Sequence, residues 1–564
     1  MKHAPLLMMA LLLGAGVMAA PPRRSPLSAP DTTPISPQVP AQDRYQPNRV
    51  FLERADSLRV DPSEPDVQIL VGSVTFRRGD MFMYCDSARF YTSPSLPADS
   101  MEAFGNIRME QGDTLFLYGD EMEYSGAEQR ATVYGIGRDV RLINRDVTLE
   151  APVLNYSMAI NLGYYDQGGR LTDPQNTLVS FEGEYAPPTK EANFYTRVRL
   201  NGVNAKGDTI RVFTDTLMYN TVSRVAELPV FSRISGSQGD IVTTNGIFDT
   251  ANNTATLLDR SIVHTSGGNT LTGDSIVFNR ATGIGEAFGA MVITDSARSL
   301  RLEGDYGYFN QQIDSAYATG RARALEFSKP DTLFLHGREI RTFLTPDSVR
   351  LMVVNPDVRF WRVDLQGVCD SMTFVEPDSM LHMNGNPIVW NANRQIFGNT
   401  IKVHLNDSTV DRVELPDFAF VAEAVEDEFF NQMSGKAMIA RFEDGDLREL
   451  ELNGSVQAIM LPEENDSTVN KIVNLESSYL QAYFKDREIE RARLWPETTG
   501  TVTPLYLAKR SLLYLPKFRW EADLRPTGPD DIFPRIPAVS EDPKEDPVDD
   551  ASQTAEEATA AEKD

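Results

Sequence analysis

The stretch "GDTLFLYGDEMEY" (residues 112–124) opens on a Gly-Asp pair, alternates apolar residues at Leu115 and Leu117, carries a second Asp at 120 and closes on Tyr124. The pattern stands one segment earlier as "GDMFMYCDSARFY" (79–91) and later as "GDTIRVFTDTLMY" (207–219). Aligned on the opening residue, Asp80, Asp113 and Asp146 are 33 apart each time. Further copies begin at Asn176, Asp208, Asp240, Asn269, Ser299, Asp331, Asp364 and Arg394, in steps of 29 to 33 residues. Two looser copies lie at 436–442 and 475–484, so about thirteen units fill the body of the chain. Self-similarity at this period marks a repeat architecture, in which each unit buries its apolar face only against its neighbours.

Each unit holds a second alternating stretch, of the type "MEAFGNIRME" (101–110) or "ATVYGIGRDVRLI" (131–143). Alternation with β-branched and aromatic residues predicts strands, and segments such as "SGAEQ" (125–129) predict the turns between them. A unit is therefore a β-hairpin. The opening Gly-Asp belongs at the turn, where Gly tolerates positive φ and the Asp side chain bonds nearby backbone N–H groups. The central Gly-Asp or Cys-Asp shifts the parity between Leu115/Leu117 and Met122/Tyr124, which predicts a bulge or bend in a long strand. Repeated in every unit, that bend folds the stack into two sheets meeting at an edge. The expected fold is all-β: an extended β-jelly-roll or V-shaped stack of repeated β-hairpins around an apolar trough.

Around this body the expected organisation is a signal peptide (1–20), a Pro-rich linker (21–47), a first block of repeats (48–350), divergent repeats with a C-terminal cap (351–536), and a disordered acidic tail (537–564). "MKHAPLLMMALLLGAGVMAA" has a basic start, an apolar run and small residues at Ala19 and Ala20, as a secretory signal does. The net charge of −27 becomes −28 once a leader carrying Lys2 and no acid is removed, which argues against nucleic acid as a partner. Two cysteines, Cys85 and Cys369, do not make a disulfide scaffold. Both precede the central Asp of their units, many rungs apart, so they are expected as buried free thiols.

No catalytic constellation stands out. Asp113/Asp120 and Asp208/Asp215 recur at one spacing, but calcium loops need denser ligands, and sugar cleavage needs one distinctive carboxylate pair. His264, His336, His382 and His404 are isolated, which gives no zinc pair and no expected metal or cofactor. What remains is the apolar lining. Leu115, Leu117, Met122, Tyr124, Ile210, Val212, Leu217 and Tyr219 are the candidates for lining a lipid groove. Plain core is the competing reading of each. Burying acyl methylenes contributes about 0.8 kcal/mol apiece, enough to hold a lipid without a catalytic group.

The best copies, "GNIRMEQGDTLFLYGDEMEY" (105–124) and "GVNAKGDTIRVFTDTLMY" (202–219), resemble the organic solvent tolerance (OstA-like) family over about residues 66–490. That family includes the periplasmic bridge protein of lipopolysaccharide transport and the N-terminal domain of the outer-membrane lipopolysaccharide-assembly protein. The resemblance implies a non-enzymatic carrier of lipid A acyl chains, located in the periplasm and associated with the outer membrane. The implied partners are lipopolysaccharide, other transport proteins of OstA-like fold joined by end-to-end strand pairing, and further copies of itself. The array is longer than the bridge protein's, and no membrane barrel is expected after "RWEADLRP" (519–526), where the chain runs into the acidic tail. An exported β-scaffold or envelope interaction protein without lipid cargo is the alternative.

Overall fold

A computed structural model describes residues 49–534, apart from 92–98, 204–206, 208, 329, 377, 407–408, 427, 444–445, 463–467 and 486–487. The expected leader, the linker and the acidic tail lie outside the described residues. Among the described residues, forty-six strands, all paired antiparallel, form one continuous hydrogen-bonded sheet. The predicted all-β hairpin stack is what the chain builds.

The turns follow the motif. Gly112 takes φ +59° between Ser100–Gln111 and Leu115–Ser125, and nothing lies within 4 Å of the place a Cβ would occupy. The corner differs from expectation in one respect. The register slips between Phe104 and Ile107, opposite Glu121 and Gly119, so Gly105 and Asn106 of the partner strand face the single residue Asp120. The same slip recurs at Val71/Val74, Tyr195/Val198, Phe288/Met291 and Asn453/Val456. At these five corners the bulge sits in the second stretch of the unit, and the motif's central Asp86 and Asp274 pack on it at Gly105 and Gly289. Gly105 has φ +78°, and a Cβ there would meet Asp86 Oδ2 at 2.4 Å. Asn106 Nδ2 donates to that same oxygen at 2.7 Å. One corner further on, Asp120 accepts the N–H of Ile136 at 2.7 Å, while Arg138 binds its other oxygen. A carboxylate on a left-handed bulge fixes the bend rung after rung.

The bend divides every long strand into two halves, which run the length of the stack as two facing walls. One hydrophobic core lies between them, from Val50 to Ala482. On the first wall, the inward ladder Phe76–Met83–Met109–Leu117–Leu142–Leu149–Leu171–Leu178–Leu200–Val212 is continuous across paired strands. On the second wall, large and small residues alternate: Tyr124–Ala131–Tyr156–Gly163–Tyr185–Ala192–Tyr219–Ala226–Phe248–Ala255–Phe278–Gly285–Phe309–Ala316. Each ring thus covers a gap left by an alanine or glycine, which lets the ladder pack without voids.

Candidate functional site

The eight candidate lining residues all face the space between the walls. Leu117, Met122, Tyr124, Ile210, Val212, Leu217 and Tyr219 are buried, and Leu115 is half-buried against the same core. Their neighbour Arg211 is exposed, as the alternation requires. Leu117 and Val212 share one ladder but stand six strands apart, about 29 Å at the usual strand spacing. They line one interior rather than one pocket.

That interior changes character along the stack. In the middle rungs it is closed, with Val133, Leu149, Leu171, Tyr185, Val212 and Phe248 at 0% exposure. The mouth between the free edges of the walls is stapled there by polar side chains. Tyr156 Oη lies 3.5 Å from Gln111 Oε1, and Asn144 Nδ2 donates to Tyr185 Oη at 3.0 Å. Asn176 Nδ2 donates to Tyr219 Oη at 2.8 Å and to Thr250 Oγ1 at 3.2 Å. Arg280 donates to the Gly239 carbonyl at 3.0 Å. Arg298 closes the series with Asp314 at 3.5 Å and Glu376 at 3.8 Å. The motif's closing tyrosine thus has two functions: its ring fills the ladder, and its hydroxyl closes the mouth. Burial pushes the Tyr165 hydroxyl up to about 12, and burial with the adjacent Asp173 raises Tyr219, so these groups stay protonated donors.

Beyond Ala316 the alternation lapses. The second wall continues as Thr342–Met352–Phe374–Leu381–Val403–Val413, with no small partner between large residues. All six are only half-buried, although they face inward. Opposite them, Val389, Ile396 and Met433 are half-buried too. Solvent therefore reaches apolar side chains toward the mouth, and the C-terminal half is a partly open trough over a floor of buried Ile340, Val354, Met383, Ile401 and Leu415. Sequence reading placed its lining candidates only in the closed part. The signal for the open part was available: the motif's closing aromatic, present from Tyr91 to Phe309, gives way to Thr342 and Val403 in the copies beginning at Asp331 and Arg394, and only Phe374 keeps it between them.

A second feature escaped sequence reading. Residues 505–534, expected only as a cap, form a strap that runs back over the outer face of the first wall. Leu515, Phe518 and Trp520 cover Ile388, Trp390, Phe397 and Phe420 there. Three buried glutamines anchor it. Gln432 donates to Leu513 O at 2.7 Å and accepts from Leu515 N at 2.9 Å. Gln395 donates to Arg519 O at 2.9 Å and accepts from Glu521 N at 2.9 Å. Gln366 accepts from Arg525 at 2.6 Å. Each of the first two amides satisfies one strap N–H and one strap C=O, as a neighbouring strand would.

Among the described residues, no group of three or more His, Cys, Asp or Glu is placed to hold a metal ion. His264, His336, His382 and His404 all lie on strands. Cys85 and Cys369 are free and buried, and burial pushes both thiols up to about 12. No helix of the described residues is long and apolar enough to cross a membrane.

Comparison with known proteins adds one finding. Residues 47–206 match the family described as OstA-like protein. No curated protein matches the chain. The match covers the first rungs and part of the closed middle, and the same hairpin geometry continues beyond it to residue 504.

Proposed function

We propose that this OstA-like chain is a periplasmic carrier in lipopolysaccharide transport to the outer membrane, which holds lipid A acyl chains between its walls without catalysis. One observation carries the reading: the inward-facing rows of the C-terminal half, Met352, Phe374, Leu381, Val403 and Val413 against Val389, Ile396 and Met433, are apolar and only half-buried. Such a row has a contiguous apolar surface that water covers poorly, and acyl chains bury it at about 25 cal/mol per Å². The family match supports the lipopolysaccharide side of the reading. The strand edges at Phe51–Arg54 and Thr499–Pro504 offer the ends for pairing with transport proteins of similar fold.

The alternative, an exported scaffold without cargo, is favoured for the middle rungs by their zero exposure and stapled mouth. The two readings separate by photo-crosslinking in living cells. A crosslinker at Leu381 or Val403 should capture lipopolysaccharide, one at Val212 should capture little, and one at outward Arg211 none. Loss of adducts at every trough position, with the protein folded and exported, leaves the scaffold reading.

A further inference from the structure

The strap follows a track. Two outward rows of the first wall run side by side beneath it, each continuous across paired strands. One row carries the anchors Gln432, Gln395 and Gln366, two strands apart from one to the next. The other carries Phe420, Phe397 and Ile388 and runs on to His336 and Arg323. The anchors meet the strap at residues 513–515, 519–521 and 525 in turn, so it crosses the strands at a steady pace. By Phe533 it has reached Arg323. Asp530 Oδ1 lies 3.1 Å from that guanidinium, and the Phe533 ring packs on His336 with Arg321 and Arg323 over it.

The track does not stop there. Beyond Arg323 the same row passes Val292, Ile262 and Val242 and then reaches Arg233, Phe213 and Arg199. Ile262 and Phe213 are 39% and 42% exposed, an unusual state for large apolar side chains placed in line. Arg211 stands beside Phe213 on the neighbouring row and, like Arg199 and Arg233, is exposed. Arg233 pairs with Asp240, whereas Arg199 and Arg211 have no carboxylate partner among the described residues. The acids of this stretch are already engaged, Asp240 by Arg233 and Glu303 by Arg323 at 2.6 Å. The track thus changes from apolar to basic as it leaves the strap. The sequence after the strap changes in the complementary order. Ile536 and Val539 come first, and then Glu541, Asp542, Glu545, Asp546, Asp549 and Asp550 stand against the single base Lys544.

We propose that this outer track is a docking surface for an extended acidic peptide, and that its occupant is the chain's own segment 535–550. Ile536 and Val539 cover Val292 and Ile262, and the acidic run meets Arg233, Arg211 and Arg199. The reach suffices. Arg199 lies eight strands beyond Arg323, about 38 Å at the usual spacing, and residues 534–550 fully extended span about 56 Å. Pro537, Pro543 and Pro547 favour extended backbone and lack N–H donors, which suits a segment laid across strands on their side chains. Exposed ion pairs are individually weak. Tethering at Phe533 makes each of them intramolecular, at high effective concentration. The proposal concerns the outer face and does not depend on what the walls hold between them.

The test is photo-crosslinking in the full chain, with the crosslinking side chain at Val539 or at Val548 and adducts mapped by mass spectrometry. From Val539, adducts should fall on Ser261–Thr265 and Ile284–Asp295; from Val548, on Glu191–Val203, Thr209–Asn220 and Ser232–Gly236. Replacing Arg199, Arg211 and Arg233 together by Glu should cut the Val548 adducts about fivefold and the Val539 adducts less than twofold. Lys at the same three positions should retain most of both. Raising the salt from 50 to 500 mM should reduce the Val548 yield in the parent, because exposed pairs are screened. A Val548 yield unchanged by the Glu variant, or adducts scattered over both walls, would overturn the docking. Adducts joining heavy to light chains in an isotope-mixed sample would overturn the assignment to the chain's own segment in favour of a second copy's.

Discussion

Tyr219 donates its phenolic hydrogen bond to Asp173 at 2.5 Å, across the mouth between the two walls. Asn176 completes the contact, and Asp173 in turn accepts the backbone N–H groups of Gln175 and Asn176 at 2.8 and 2.7 Å. A carboxylate with 4% exposure is tolerable only because these donors surround it.

Removing the hydroxyl should therefore matter more than removing an exposed one. Tyr219→Phe is expected to cost about 1–3 kcal/mol, because a buried acceptor loses its donor. Tyr308→Phe, on the outer face, should stay within about 0.5 kcal/mol of the parent. Urea unfolding of the two variants checks this. Equal midpoints would mean that the mouth is not stapled as described.

How much of this was legible in the sequence follows from the range of each interaction. The inward parity of Leu117 and Val212 is local, since period-2 alternation reports it directly. The corner was half legible. The parity break at Gly119–Asp120 marked its place, but the slipped register lies in the partner strand at Gly105–Asn106, and pairing is not written in either strand alone. The staple between Tyr219 and Asp173 spans 46 residues, and the bond from Gln366 to Arg525 spans 159. No periodicity encodes such contacts. The strap's apolar residues, Leu515, Phe518 and Trp520, follow no repeat and so gave no strand signal.

The corner can be tested at two glycines of like conformation. Gly105→Ala places a Cβ 2.4 Å from Asp86 Oδ2 and 3.0 Å from its Cβ, in a left-handed backbone. Gly112→Ala meets nothing within 4 Å and bears only the cost of positive φ, about 1–2 kcal/mol. Gly105→Ala should destabilise by a further 1–3 kcal/mol or so, through strain at an over-determined site. Thermal unfolding of the pair, with Gly105→Ala/Asp86→Ala as the relieved double variant, separates conformational strain from the clash. A double variant no more stable than the single would remove the carboxylate from the explanation.

The two thiols predict a pH dependence. Burial moves each from 9.0 to about 12, so the folded chain keeps protons that the unfolded chain releases. Stability is therefore untouched below pH 9 and falls as pH rises from 9 toward 12. Cys85→Ala/Cys369→Ala should show a shallower alkaline loss than the parent when melting is followed across that window. At pH 8, native protein should leave a thiol-specific disulfide reagent unreacted until denaturant is added. Rapid labelling of the native chain would contradict the burial.

The strap gives the last prediction. Gln432 and Gln395 each pair with strap backbone on both sides of the amide, so replacement by Leu leaves one N–H and one C=O of the strap without partners. Each substitution should cost about 1–3 kcal/mol per uncompensated buried group. In a stack where rungs contact only their neighbours, that loss should stay local. Hydrogen exchange should quicken at Arg394–Gly398, Ala419–Glu426 and Phe429–Gly435, and remain unchanged at Leu115–Ser125. Deleting residues 514–564 should go further and expose Trp390 and Phe420, giving dye binding that the point variants lack. The trough lies on the opposite face of the same wall, so its crosslinking yield in the point variants reports whether the strap also sets the trough's width. If exchange quickened equally from end to end, the strap would be a support for the whole stack and not for its open half. The local reading would then fail.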